Sequence, residues 1–278
     1  MFGVGEGIAK TISLPAHLPS SWHLHQTILS HLRLTLLEAV RTRLLGSVAA
    51  TAAAGLGIAL LVGQIAITDS RRMQAAIGAA LLRLAAVAIV GVFVIASHLR
   101  AVEDKALEML IALPAPRAAY YVGRLAGFAG AAVLVAVALS LVLLPFADAG
   151  AVALWGVSLA FELALVAAAA LFFAGAIASI TGAVMVLAGL YLLGRAIAAL
   201  RLIGGSAVLG GEVSARVVRG ALEVVGWLLP RLDLFTRSEW LAGAAPGWSS
   251  LGAIGVQTLA YVLLLTLAGI LDLQRREF

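Results

Sequence analysis

Two ionisable side chains lie where a charge is most expensive. Glu162 and Arg195 both fall inside long apolar runs. A charge near the middle of a bilayer costs about 2.5–3.5 kcal/mol on insertion scales, so such residues pair with one another or face a polar path. Glu162 stands roughly a third of the way along the fourth apolar run, residues 151–178, and Arg195 near the middle of the fifth, residues 182–203. A short uncharged hinge at 179–182 makes these runs antiparallel neighbours. At about 1.5 Å per residue, the two charges differ in depth by about 7 Å, which long side chains nearly span. The spacing predicts an intramembrane Glu162–Arg195 ion pair, either lining a transport path or locking the bundle. Arg83 interrupts the second run about eight residues in and is expected to snorkel to the outer interface.

Other chemistry has little to work with. There is no cysteine, hence no disulfide, thiolate ligand or thiol nucleophile. His23, His25 and His31 have no carboxylate or thiol to complete a metal set, and no His-Glu-x-x-His is present, so no metal site is expected. Neither Lys10 nor Lys105 follows the glycines of a phosphate-binding P-loop, and Gly-x-Ser-x-Gly is missing. The glycines at 204, 205, 210 and 211 suit a flexible connection. No catalytic residue is expected.

Composition explains why charge stands out. Of 278 residues, 63% are hydrophobic and 12% charged, against roughly 25% charged in an ordinary soluble domain. Mean hydropathy is +1.08. The net charge is +5, and of the 19 basic residues all but Lys10 and Lys105 are arginine; the arginines flank apolar runs rather than forming a patch, which points to membrane topology and away from nucleic acid. The expected fold is an all-α polytopic membrane protein with six transmembrane helices at 46–67, 75–97, 122–145, 151–178, 182–203 and 252–273. Residues 1–21 lack the apolar core of a signal peptide, so the first span is expected to direct insertion. With both termini cytoplasmic, inner segments hold ten basic residues and outer segments seven, which orients the chain.

Amphipathic stretches flank the spans. Residues 21–45 carry Leu24, Ile28, Leu32, Leu36 and Val40 at four-residue intervals with Arg33, Arg41 and Arg43 on other faces, as in a helix lying in the headgroup layer. Residues 204–250 form a long outer connection. Within it, 212–229 reads as a re-entrant or interfacial helix closed by Pro230, and Leu234, Phe235, Trp240 and Trp248 suit the outer interface. Residues 100–124 are the densest charged stretch. Leu107, Leu110 and Ile111 lie to one side of Glu103, Asp104 and Glu108, and Pro114 and Pro116 end the pattern, so a short amphipathic helix at about 100–114 is expected between the second and third spans.

That stretch resembles the loop of type-2 ABC exporter permeases. In that family an acidic residue is followed by Gly-Thr-Leu, apolar pairs, a proline, an arginine and Gly-Lys opening the third span. Here Glu103, Leu107, Leu110, Pro114, Arg117 and Gly123-Arg124 take those places, with Lys105-Ala106 where Gly-Thr is usual and arginine for lysine. Residues 37–43 resemble the end of the family's elbow helix, 229–235 its segment before the last span, and 275–278 its tail. The resemblance implies residues 1–45 as a cytoplasmic N-terminus with an amphipathic elbow helix and 46–278 as a six-span permease domain. The loop would be a coupling helix, with Glu103, Asp104, Lys105, Leu107, Glu108, Leu110, Pro114, Arg117 and Arg124 meeting a separate cytoplasmic P-loop ATPase that binds ATP and Mg. It further implies a second permease copy or paralogue, and a bacterial cytoplasmic (inner) membrane. The rival reading is a non-transporting scaffold or accessory subunit of a larger membrane complex.

Overall fold

The computed structural model describes residues 20–41, 44–65, 69–104, 117–205, 220, 226, 229–243 and 247–275. They form seven helices: α1 Ser20–Arg41, α2 Leu44–Ile65, α3 Ser70–Glu103, α4 Arg117–Leu141, α5 Ala149–Ala176, α6 Ile180–Gly205 and α7 Ser250–Arg275. Two short 3-10 turns, Leu232–Leu234 and Ser238–Ala242, stand between α6 and α7. Helices α2 to α7 are each long and apolar enough to cross a membrane. The chain is an all-α polytopic membrane protein, with Asp69 and Asp148 near one end of the bundle and Glu103 and Arg117 at the other.

Helix α5 is the axis. Apart from Ser158 and Glu162 it is apolar all round, as a helix surrounded by others must be. It buries Trp155, Leu159, Leu163, Val166 and Ala170 against neighbours that include α3, α4 and α7. Helices α2 and α7 sit at the periphery. Leu60, Leu61, Ile65, Leu259, Leu263 and Leu267 remain exposed on them, as residues facing lipid tails do.

The helix bounds depart from expectation at two loops. Helix α3 continues without a break to Glu103, and Asp104 caps its last turn by donating its amide to the Arg100 carbonyl at 2.9 Å. Arg100–Glu103 therefore extend the second span rather than opening a separate helix. Helix α4 stops at Leu141, and tight turns through Leu143 and Phe146 lead to Asp148. Lys105, Leu107, Glu108, Leu110 and Pro114 lie outside the described residues, as does nearly all of the amphipathic stretch 212–229.

Helix α1 does not lie alone across the bundle. It packs along α4, where Gly127 and Gly130 leave room: a Cβ on Gly127 would meet the Thr35 Cβ at 2.5 Å, and one on Gly130 would meet the Leu36 side chain at 3.2 Å. Small residues at a helix–helix contact let two backbones approach closely. Further along α1, Glu38 reaches the level of Arg124, so later residues of α1 meet earlier residues of α4 and the two helices run antiparallel. Thr35 and Ala39 are buried on this seam, while Leu29, Leu34 and Leu37 are exposed on the other side. The headgroup-layer expectation missed the seam because it weighed the leucines of α1 and not the glycines of α4.

Since the chain has no cysteine of its own, a Leu36→Cys/Gly130→Cys pair, where a Cβ on Gly130 lies 3.9 Å from the Leu36 Cγ, can be oxidised without background. The packing predicts that an added oxidant forms an intramolecular disulfide, read as the mass loss of two hydrogen atoms in the intact protein. A helix lying flat in the headgroup layer would leave both thiols free.

Candidate functional site

The polar groups of the bundle interior converge on one carboxylate. Ser158 and Glu162 stand four residues apart on one face of α5, and Tyr191 and Arg195 four apart on one face of α6. Glu162 lies thirteen residues beyond the start of α5, about 20 Å along its axis, and is fully buried. Its Oε1 accepts from the Tyr191 hydroxyl at 2.9 Å and from Arg195 Nη1 at 3.4 Å. Its Oε2 accepts a short hydrogen bond from the Thr236 hydroxyl. The structure thus brings Glu162 and Arg195 together: Glu162 stands fourteen residues before the end of α5 and Arg195 fifteen after the start of α6, so the two lie at nearly the same depth and the expected offset is absent.

Thr236 belongs to a segment that sequence reasoning places at the membrane surface. Residues 229–243 instead turn inward between α3, α5 and α6. Leu232, Phe235, Trp240 and Leu241 are buried in the core, whereas Trp248 is exposed. The correction has a simple cause: an aromatic ring suits the interface and the interior of a bundle equally, and composition does not separate them.

A chain that enters the bundle without helical pairing must find donors for its carbonyls and acceptors for its amides. Arginines supply the donors. Arg195 Nη1 donates to the Leu232 carbonyl at 2.7 Å and the Phe235 carbonyl at 3.1 Å, and Arg83 Nη1 donates to the Thr236 carbonyl at 3.0 Å. The Thr236 amide donates to Ser158 Oγ at 3.0 Å. Arg83 is therefore bound inside the bundle rather than snorkelled to the outer interface. Thr236 has φ of 41°, a left-handed backbone that a β-branched residue rarely adopts. Bonds to its amide, carbonyl and hydroxyl hold it there. Gly194 completes the fit, because a Cβ at that position would meet the Pro230 carbonyl at 3.0 Å and backbone cannot yield easily.

Sequence reasoning missed Ser158, Tyr191, Gly194 and Thr236. Three were detectable: Ser158 and Tyr191 are one helical turn from a buried charge on the same face, and Gly194 adjoins Arg195. Thr236, distant in sequence from all of them, carried no signal.

A second polar group lies toward the opposite end. Ser97 Oγ donates to Glu38 Oε1 at 2.6 Å, and Arg124 Nη2 donates to the Ser97 carbonyl and Oγ, each at 2.9 Å. Arg124 Nη1 also reaches the Tyr120 hydroxyl at 3.4 Å, and its guanidinium lies 5.3 Å from the centre of the Phe128 ring. Arg117 Nη1 donates to the Leu273 carbonyl at 3.2 Å. Arg117 and Arg124 thus turn toward the bundle, while Glu103 and Asp104 are exposed at the end of α3. Among the described residues, no group of three or more His, Cys, Asp or Glu could hold a metal ion. No protein-family model matches the chain, and no curated protein sequence matches it either.

Replacing Glu162 by leucine strands Arg195, Tyr191 and Thr236 and should destabilise the protein by about 3–5 kcal/mol, the range for removing one partner of a buried pair. Glu162→Gln keeps an acceptor and should fall well short of that loss. Thr236→Ser should resemble the parent, while Thr236→Val should loosen residues 229–243. Thermal unfolding in detergent and protease cutting within 229–243 check both pairs. Equal melting of Glu162→Leu and parent would refute the arrangement.

Proposed function

We propose that the chain is the membrane-spanning permease subunit of an ABC exporter, with ATP and Mg bound by a separate P-loop ATPase. In this reading the Glu103–Arg117 end faces the cytoplasm of a bacterial inner membrane, together with the end of α7, and a second permease copy or a paralogue completes the translocation path. The chain itself performs no catalysis.

The observation that supports this most is the polar tie at the base of the loop 104–116. Ser97 lies seven residues before Asp104, and Arg124 lies seven after Arg117. Their hydrogen bonds join the helices on either side of the loop, and Glu38 adds α1 to the same point. A motor pushing on the loop would then move α1, α3 and α4 as one body, which is what relaying a rigid-body motion requires. An accessory scaffold has no need of such a mount. The clasp around Glu162 favours the structural role for the buried ion pair, since its donors and acceptors are engaged by the segment 229–243.

Purification in mild detergent should bring down a P-loop ATPase. With Glu103→Arg/Glu108→Arg, either the ATPase is lost or its hydrolysis no longer responds to the permease. Ser97→Ala should leave the ATPase bound yet lower the coupled hydrolysis several-fold. Recovery of the chain with other membrane proteins and no ATPase would favour the scaffold reading instead.

A further inference from the structure

The arginines that turn into the bundle are met from within: Arg83, Arg124 and Arg195 each donate to a backbone carbonyl. Arg33 is different. It is exposed on α1 and, among the described residues, bonds to nothing. It stands on the side of α1 turned away from the seam with α4. Leu29, Leu34 and Leu37 share that side, each more than half exposed, and Arg41 continues it one turn beyond Leu37.

Its depth makes the exposure costly. Gly127 and Gly130, which receive Thr35 and Leu36, lie about 15 and 20 Å along α4, a span about 37 Å long. Arg33 precedes Thr35 by two residues on the antiparallel helix, so it stands slightly further out, still within the middle third of α4. From there the end of α4 at Leu141 is about 15 Å away, further than an arginine side chain extends to reach the interface. A charge at this depth pairs with an opposite one. Headgroup phosphates lie too shallow. A second copy meeting α1 to α1 across a two-fold axis would set arginine against arginine. What fits is a carboxylate carried to the same depth by a different helix.

We propose that the outer face of α1 docks a transmembrane helix of another protein, one that carries a single Asp or Glu near the middle of its apolar span. The carboxylate takes the Arg33 guanidinium in a charge-assisted pair, which is strong where no water competes. Apolar side chains of the same helix cover Leu29, Leu34 and Leu37. The site does not depend on the transport reading.

Two measurements on the full chain in phosphatidylcholine vesicles test it. The probe is a synthetic leucine span of about 20 residues with one central glutamate, and its control carries glutamine instead. Binding is read by energy transfer from a dye on Leu141→Cys, which leaves the α1 face unaltered. The glutamate span should bind at least ten-fold more tightly than the glutamine span. Arg33→Leu should abolish that preference, and Arg33→Lys should keep it. Equal binding of the two spans to the parent overturns the proposal, as does a preference that survives Arg33→Leu. The second measurement is depth. A dye on Leu34→Cys should be quenched most by lipids spin-labelled near the middle of the acyl chain. Strongest quenching by headgroup-labelled lipid would place α1 at the surface, leave Arg33 to lipid phosphate and overturn the proposal.

Discussion

A carboxylate at full burial in a membrane bundle is tolerable only if every lone pair that matters is met by a donor. Glu162 satisfies that condition with three side chains from two separate elements: Tyr191 and Arg195 from α6, and Thr236 from the inward-turning segment. Arg195 in turn caps two carbonyls of that segment, so the ion pair and the loop stabilise each other. Neither half is stable alone. Without the loop, Arg195 has spare donors in an apolar interior, and without the pair, the loop has unmatched carbonyls there. Such networks rigidify a structure when complete and are disproportionately costly when one member is removed.

Helix α3 links this clasp to the opposite end. Arg83 holds the Thr236 carbonyl, and Ser97, fourteen residues on and about 21 Å along the same helix, joins α1 and α4. The helix is unbroken between them and buried along one side by Ala86, Val90, Phe93 and Val94. Phe93 meets Phe128 of α4 edge-on, with centroids 5.8 Å apart, which braces the shaft near the lower tie. A displacement at one end of α3 therefore has a stiff path to the other. This gives physical content to a division of labour between a mount for the loop and a clasp beyond it.

Much of the fold was legible because apolar runs of bilayer length leave little choice of structure. The Glu162–Arg195 pairing was legible for a related reason: two charges on antiparallel neighbours at similar depth must find each other. What stayed hidden depended on long-range contact. Thr236 is an ordinary threonine in a surface-like stretch until Ser158, Glu162 and Arg83 are assembled around it. Gly127 and Gly130 look like ordinary small residues of a span until α1 lies against them. Glu38 and Arg124 sit in stretches read by family resemblance, which assigned Arg124 outward to a partner, whereas it turns to Ser97 and Phe128.

Residues 229–243 are a fixed internal part of the bundle. Hydrogen exchange of the Thr236 amide measures this directly, since that amide donates to Ser158 Oγ within the protein. Slow exchange is expected, comparable with the buried middle of α5, with an acceleration of at least a hundred-fold in Ser158→Ala. Exchange in the intact protein as fast as at exposed Trp248 would contradict it.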